Sequence, residues 1–546
     1  MKNNSSKILI LIVIIAAINF IATNIYKRFD LTKDKRYTVS ETTHTILENI
    51  DDTAIFKVYL EGDFPSEFKR LQIETKQHLE ELKAINKNIK FRFIEPIDQA
   101  EELIKKGLQP SRLSVQEDGK VSEAVIFPWA TIEYKNKVEN ISLLTNQTTG
   151  TQEEQLQNSI QNLEYAFSEA IHKVSSEKKQ KIAILRGNGE LDDIFLASFL
   201  RQLSQYYKLA PFTLDSVRTN PQKTAQQLTE YDLAIIAKPT EKFTENEKFT
   251  LDQYIMNGGK SLWLIDNVNA ELDSLMQTGE SLAFNRDLNL TDQLFRYGVR
   301  INYNLVKDIR SSSISLASGN TGNQTQYQNF PWHYYPLVIP TNNHPITNNI
   351  DQVSLRFSST IDTLKNGIDK TVLLQSSEYS KPLGTPSIIS LNEVAKKPSQ
   401  KDYNNGNQIL GVLLEGEFTS AYTNRVKPFE TNLHKEKSTS NKMVIISDGD
   451  IIANQVFQGS PLDLGLDKWT KIRYGNAPFL MNTINYMLDD SGLVNLRSKN
   501  IQLQFLDKQK AFKERTFWQL INVVTPLVLL AIFGFMYTFL RKRKYS

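Results

Sequence analysis

The chain has no cysteine among its 546 residues, which removes disulfide frameworks, thiolate zinc sites, iron–sulfur clusters and cysteine nucleophiles together. It also lacks an excess of one charge. With 64 Lys and Arg against 61 Asp and Glu, the net of +3 provides no electrostatic footprint for nucleic acid or for a polyacidic substrate. Histidine is scarce, and His44, His78, His172, His333, His344 and His434 show no HExxH or comparable ligand spacing. No metal, cofactor or catalytic residue is therefore expected, and His78 and His172, within helical patterns, should be solvated. There is no GxSxG elbow, and an amidotransferase-like domain without a thiol has no nucleophile.

The chain does have long apolar runs, at its two ends. Residues 8–25 open with an uninterrupted apolar stretch, and at about 1.5 Å per residue such a run nearly crosses a hydrocarbon core of about 30 Å. It reads as a retained anchor. A cleavable signal peptide is the competing reading, because Lys2 and Lys7 precede the run, yet no small-x-small site follows Ala22. Residues 517–540 carry no charge and tolerate Pro526 and Gly534, as membrane helices do. Arg541, Lys542, Arg543 and Lys544 follow at once and place the C-terminus in the cytoplasm by the positive-inside rule. Two spans put both termini on that side and export the body between them.

The body reads as α/β. From Thr53 the pattern is strand, helix, strand, short helix and two further extended runs, then a long helix from Thr151 with Leu156, Ile160, Leu163, Phe167, Ile171 and Val174 on one stripe. This order resembles a thioredoxin-like domain over residues 27–176, but EGDFP stands where a redox protein needs CxxC. A second domain, residues 177–500, opens with KIAILRGNGE. Its strands YDLAIIAKP and SLWLID flank a helix started by a Thr244/Glu247 capping box and stopped at Gly258 and Gly259, and MVIISDGD repeats the layout of SLWLID. Strand–helix–strand alternation specifies a doubly wound parallel sheet of the flavodoxin/amidotransferase-like kind. Residues 311–330, 396–407 and 427–442 are polar and read as loops or mobile insertions. With transmembrane segments at 1–26 and 516–546 and a linker at 501–515, the expected architecture is complete.

Chemistry-bearing motifs are few. NGGKS at residues 257–261 looks like the tail of a phosphate loop, but a helix precedes it and a strand follows, the reverse of what phosphate cradling needs. GNGE at 187–190 has the right context, but its carboxylates would repel phosphate, so a tight turn at a helix start is the expectation. In an open parallel sheet ligands sit beyond the carboxyl ends of the strands, and those ends carry Glu190, Asp266, Asp448 and Asp450. These four form the candidate ligand crevice, able to hold a divalent cation or a cationic group, with capping of helices and turns as the competing role. The aromatics of NFPWHYYP at 329–336 are expected to staple a loop to the body.

The run RFDLTKDKRYTVSETTHTIL, followed by VYLEGDFPSEFKRL, and the ending that starts SDGDIIANQVFQGSPLDLGLDKW resemble the gliding-motility-associated ABC transporter auxiliary proteins of the GldG type. That resemblance implies a substrate-binding-type subunit in the bacterial inner membrane, partnered by a separate permease and a separate ATPase. A chain without a Walker A motif needs such an ATPase, and two spans are too few for a usual permease. Within the first run, Arg28, Asp30, Leu31, Thr32, Tyr37 and Ser40 are candidates for coupling the anchor to the body. The open alternatives are a scaffold or assembly factor of the motility or secretion apparatus, and a hydrolase-like enzyme using the strand-end carboxylates.

Overall fold

The computed structural model describes residues 38–62, 66–117, 120–145, 151–176, 180–321, 324–340, 344–489, 492–498 and 508–545. They fall into two units, one ending at Lys499 and one beginning at Asn500. The first apolar run, and with it Arg28, Asp30, Leu31, Thr32 and Tyr37, lies outside the described residues. Ser40 alone of the coupling candidates is placed, as the cap of helix α1 (Glu41–Glu48). Its Oγ accepts from Thr43 N at 3.2 Å, and its own N–H donates to Glu164 Oε1 at 2.7 Å.

The first layer is a four-stranded sheet. Strand β1 (Ala54–Val58) is parallel to β2 (Ile89–Phe93), which it reaches through helix α2 (Ser66–Ile85), and antiparallel to β3 (Trp129–Tyr134), which pairs with β4 (Lys137–Ser142) in the order β2-β1-β3-β4. Alternation buries Ala54, Phe56 and Val58 on one face. The stripe expected from Thr151 is buried throughout, but the chain makes two helices of it, α3 (Gln152–Gln161) and α4 (Leu163–Ser175), which break at Asn162. Phe167 meets the edge of Phe56 at 5.4 Å and the His78 ring at 5.6 Å. Both helical histidines are half-buried rather than fully solvated, His78 against the Phe167 ring and His172 with Nδ1 at 3.1 Å from Ser176 Oγ. Burial depresses the pKa of His172, against the pull of Asp489 and Glu169.

The main sheet has seven strands. In chain order they are β5 (Lys181–Arg186), β6 (Lys208–Thr213), β7 (Leu233–Ala237), β8 (Lys260–Leu264), and, after a long excursion, β11 (Asp369–Gln375), β12 (Ile409–Thr419) and β13 (Lys437–Ile446). Their spatial order is β11-β12-β13-β8-β7-β5-β6, parallel from β13 to β6, with β12 and β11 antiparallel at one edge. Leu233, Ile235, Leu262, Leu264, Val444 and Ile446 face one core with helices α5 (Asp193–Leu203) and α8 (Asn476–Leu488). Ala234, Ile236, Trp263, Met443 and Ile445 face the other, beneath α6 (Pro221–Leu228) and α7 (Glu245–Met256). Cover on both faces is why these strands read as unbroken apolar runs.

The polar stretch 311–330 is not a loop. Strands β9 (Ser311–Thr321) and β10 (Gln324–Val338) form an antiparallel hairpin, and β13 likewise begins inside the expected loop 427–442. The hairpin buries Ile314, Trp332, Tyr334 and Tyr335 near its base and exposes residues 317–319 and 325–329 farther out, so its composition stays polar while backbone pairing holds it together. NFPWHYYP thus supplies strand residues to a core rather than a loop staple.

In the second unit, helix α9 (Arg515–Tyr545) is long and apolar enough over Arg515–Arg543 to cross a membrane, with Pro526 inside it. Its apolar side chains from Phe517 to Leu540 are exposed all round, the pattern of a helix whose solvent is lipid.

The capping box at the start of α7 forms as expected, and Gly259 follows the helix where any Cβ would meet the Tyr254 ring at 2.2 Å. Asp252 ties α7 to its neighbours. Its carboxylate accepts from Ser420 Oγ at 2.7 Å, Ala421 N at 2.8 Å, Tyr297 Oη at 2.8 Å and Gln253 Nε2 at 2.9 Å. We predict that Asp252→Ala, which strands four donors, lowers the unfolding free energy of the full chain in detergent by about 3–5 kcal/mol. A urea titration showing a loss below about 1 kcal/mol would refute this role.

Candidate functional site

Three loops leave the carboxyl ends of β7, β8 and β13 side by side, and each delivers a charged residue to the same place. Lys238 directly follows β7 in a left-handed conformation, φ +55°, and its N–H donates to Leu264 O at 2.9 Å. The aliphatic stem then passes over Gly449, where a Cβ would come within 2.5 Å of Lys238 Cγ, so glycine there leaves room for the lysine. Lys238 Nζ stands 2.8 Å from Asp450 Oδ1, 3.0 Å from Glu271 Oε2 and 3.6 Å from Asp266 Oδ2. The other oxygen of Asp266 accepts from Gly449 N at 2.6 Å. Asp448 spends both oxygens on backbone, at 2.7 Å from Asp450 N and 2.7 Å from Arg356 N.

Burial alone would depress Lys238, but Asp450, Asp266 and Glu271 overrule it and hold its pKa above the usual lysine range, so it stays charged. Burial pushes Asp266 up to about 7, with Asp450 and Glu271 adding to the effect and Lys238 and the Gly449 N–H only partly offsetting it. Asp448 is raised well above the carboxylate range by burial first, then by Asp266 and Asp450, against its two backbone donors. The cluster thus sets one firm cation beside two deep acids whose hold on a proton burial strengthens.

Of the four expected crevice acids, the structure brings Asp266, Asp448 and Asp450 together. Glu190 goes elsewhere: its Oε2 accepts from Asn188 N at 2.9 Å, and burial raises its pKa. The GNGE turn is closed onto the chain, because Thr240 Oγ1 donates to Gly189 O at 2.8 Å and a Cβ on Gly189, φ +70°, would lie 2.1 Å from that hydroxyl. NGGKS joins α7 to β8, helix before strand, as its inverted context requires.

Outside the cluster opens a cleft of about 630 Å³. Lys238, Glu271 and Asp450 reach it, whereas Asp266 and Asp448 are not among its lining residues. Its far wall comes from the β9–β10 hairpin and from residues 464–474, where Tyr327 stacks on Trp469 with centroids 5.0 Å apart. Sequence reasoning missed Lys238 and Arg356. The first follows a strand, as Asp266 and Asp448 do, and the same strand-end rule identifies it. Arg356 lies in SLRFSST, which carries no pattern, and only the fold brings it to the cleft.

Comparison with known proteins adds a family match. Residues 179–483, more than half of the chain, match the family model described as ABC-type uncharacterized transport system. Residues 33–133 match a domain of unknown function, DUF7088. An uncharacterized protein of Borreliella burgdorferi is 22% identical over 568 residues, spanning all of both chains. Among solved structures, the mmIFT52 N-terminal domain is 14% identical and covers 59% of this chain and 100% of its own, at a TM-score of 0.33.

Two outcomes are expected from the cluster. Lys238→Met leaves three carboxylates without their cation and should cost about 3–5 kcal/mol of unfolding free energy at neutral pH. A wild-type urea midpoint in that variant would disprove the hub. Asp266 binds its proton more tightly folded, at about 7, than unfolded, at about 4. The folded state therefore holds more protons between those values, and stability falls as pH climbs through them. Asp266→Asn should flatten that slope; an unchanged slope in denaturation curves from pH 4 to 8 would count against it.

Proposed function

The chain belongs to the ABC-type uncharacterized transport system family, and from that premise we propose that it is a membrane-anchored accessory subunit of an ABC transporter complex, without ATPase or other enzymatic activity of its own. The observation that carries this reading is α9, an apolar helix able to cross a bilayer at the end of a large α/β body. In this reading a separate ATPase and a separate permease supply power and passage, both termini lie in the cytoplasm, and the body is periplasmic at the bacterial inner membrane. Residues 27–176 form a thioredoxin-like domain without redox chemistry, a reading supported by the sheet order β2-β1-β3-β4. Residues 177–500 form the ligand- or partner-binding domain. Residues 1–26 supply a second anchor, and the stretch that includes Arg28, Asp30, Leu31, Thr32 and Tyr37 sets the body over the permease, with Ser40 capping the first helix behind it.

The non-enzymatic reading is supported by how the acids are used. Asp266 and Asp448 are occupied by Lys238 and by backbone amides, and neither lines the cleft where a substrate would stand. The association with gliding motility rests on the two terminal sequence runs. Affinity purification from native membranes should recover an ATPase and a permease with the chain, alkaline carbonate should leave it in the membrane pellet, and the purified chain should hydrolyse no ATP. Release by carbonate, or ATP turnover by the chain alone, would end the proposal.

A further inference from the structure

The cleft beside the Lys238 cluster is crowded with polar groups, and nearly all are already engaged. Lys238 is shared by three carboxylates, which in turn occupies Glu271 and Asp450. Asp467 accepts from Thr470 N at 2.7 Å, Trp469 N at 3.0 Å, Thr470 Oγ1 at 2.9 Å and Gln455 Nε2 at 2.9 Å, which holds its own loop in shape. Ser354 and Asn476 exchange backbone and side-chain bonds at 3.0 and 2.8 Å, and Asn454 fixes Ser198 N at 3.0 Å.

Arg356 is one of the exceptions, with Asp273 and Lys468. Its backbone N–H serves Asp448, while its guanidinium lies over the Tyr335 ring, 5.6 Å from the centroid, and lines the cleft. Among the described residues no carboxylate stands within ion-pair distance of it, although Asp450, Asp448 and Asp467 act on it through space. A guanidinium laid against an aromatic face keeps its donors free in its own plane, the geometry that takes a carboxylate in two parallel hydrogen bonds. A second cation, Lys468, stands at the rim over the Trp469 ring, 5.4 Å from its centroid. Tyr327, Trp469, Phe195 and Phe357 line the same cleft and offer apolar and aromatic surface to the rest of a ligand.

The geometry points to a carboxylate-recognition site: Arg356 grips the carboxylate of a ligand whose adjoining apolar or aromatic group lies against the Tyr327–Trp469 pair. This deepens the accessory-subunit reading by giving its cleft a ligand class, and it rests on that reading for its place in transport. The same carboxylate chemistry is borne by a peptide C-terminus and by a small aromatic acid. Lys238, Glu271 and Asp450 line the cleft as a wall already paired within itself, and Asp448 behind them holds the Arg356 backbone.

The test uses the full chain in detergent with four probes: Ala-Ala-Phe with a free C-terminus, its amide, N-acetylphenylalanine and its amide. Binding is read by calorimetry and by fluorescence, to which Trp469 contributes. Saturable binding of the free acids, at least about tenfold tighter than of the amides, is expected, because removing the charge removes the charge-assisted pair. A preference for the tripeptide over N-acetylphenylalanine assigns the ligand to peptides; the reverse assigns it to small acids. Arg356→Gln should abolish the preference for the acids, Arg356→Lys should keep part of it, and Trp469→Ala should weaken acids and amides alike. Equal binding of acid and amide, no binding of any probe, or an undiminished preference in a folded Arg356→Gln chain overturns the assignment. Co-purification with an ATPase and a permease in that event would leave the accessory role standing, whereas acid binding without such partners would remove the role and leave the site.

Discussion

A lysine ammonium taken out of water at the end of a parallel sheet has to be compensated almost completely, and the region around β7, β8 and β13 is arranged to do so. Three carboxylates reach Lys238 from the segments after two other strands: Asp266 and, a few residues on, Glu271 after β8, and Asp450 after β13. Each contact is therefore also a distance constraint between loops that local sequence leaves independent. The constraint extends further, because Asp448 next to the hub holds the backbone of Arg356 and Gly449 has to be bare for the lysine stem to pass.

The cleft is a consequence of that arrangement. One wall is the hub itself, rigid because its partners are mutually satisfied. The opposite wall is the β9–β10 hairpin with the 464–474 loop, joined through the Tyr327–Trp469 stack at exposed positions. The hub closes Asp266 and Asp448 to solvent, and the two of its carboxylates that reach the cleft, Glu271 and Asp450, are paired with Lys238.

The α/β character, the strands YDLAIIAKP, SLWLID and MVIISDGD, the capped helix α7 and the C-terminal apolar helix were all legible, since each is written in periodicity or capping chemistry over a short window. The hairpin at 311–338 was not, because a strand pair whose outer part is solvated uses Ser, Asn, Gln and Thr that elsewhere mark loops. The break at Asn162 was hidden for a related reason: the apolar stripe runs through it unchanged.

For the candidate site the division is sharper. Sequence alone located Asp266, Asp448 and Asp450 at strand ends, because strand boundaries and the rule about carboxyl ends are local and topological facts. The sequence also shows that the chain has no cysteine and no Walker A pattern. Only the tertiary structure decided that Glu190 belongs to a different turn, that Lys238 binds the acids to one another, and that Arg356 lines the cleft without an ion-pair partner among the described residues. Those outcomes depend on which loops end up adjacent. Adjacency is set by the order in which strands pair across a sheet, a long-range property that no window of sequence contains.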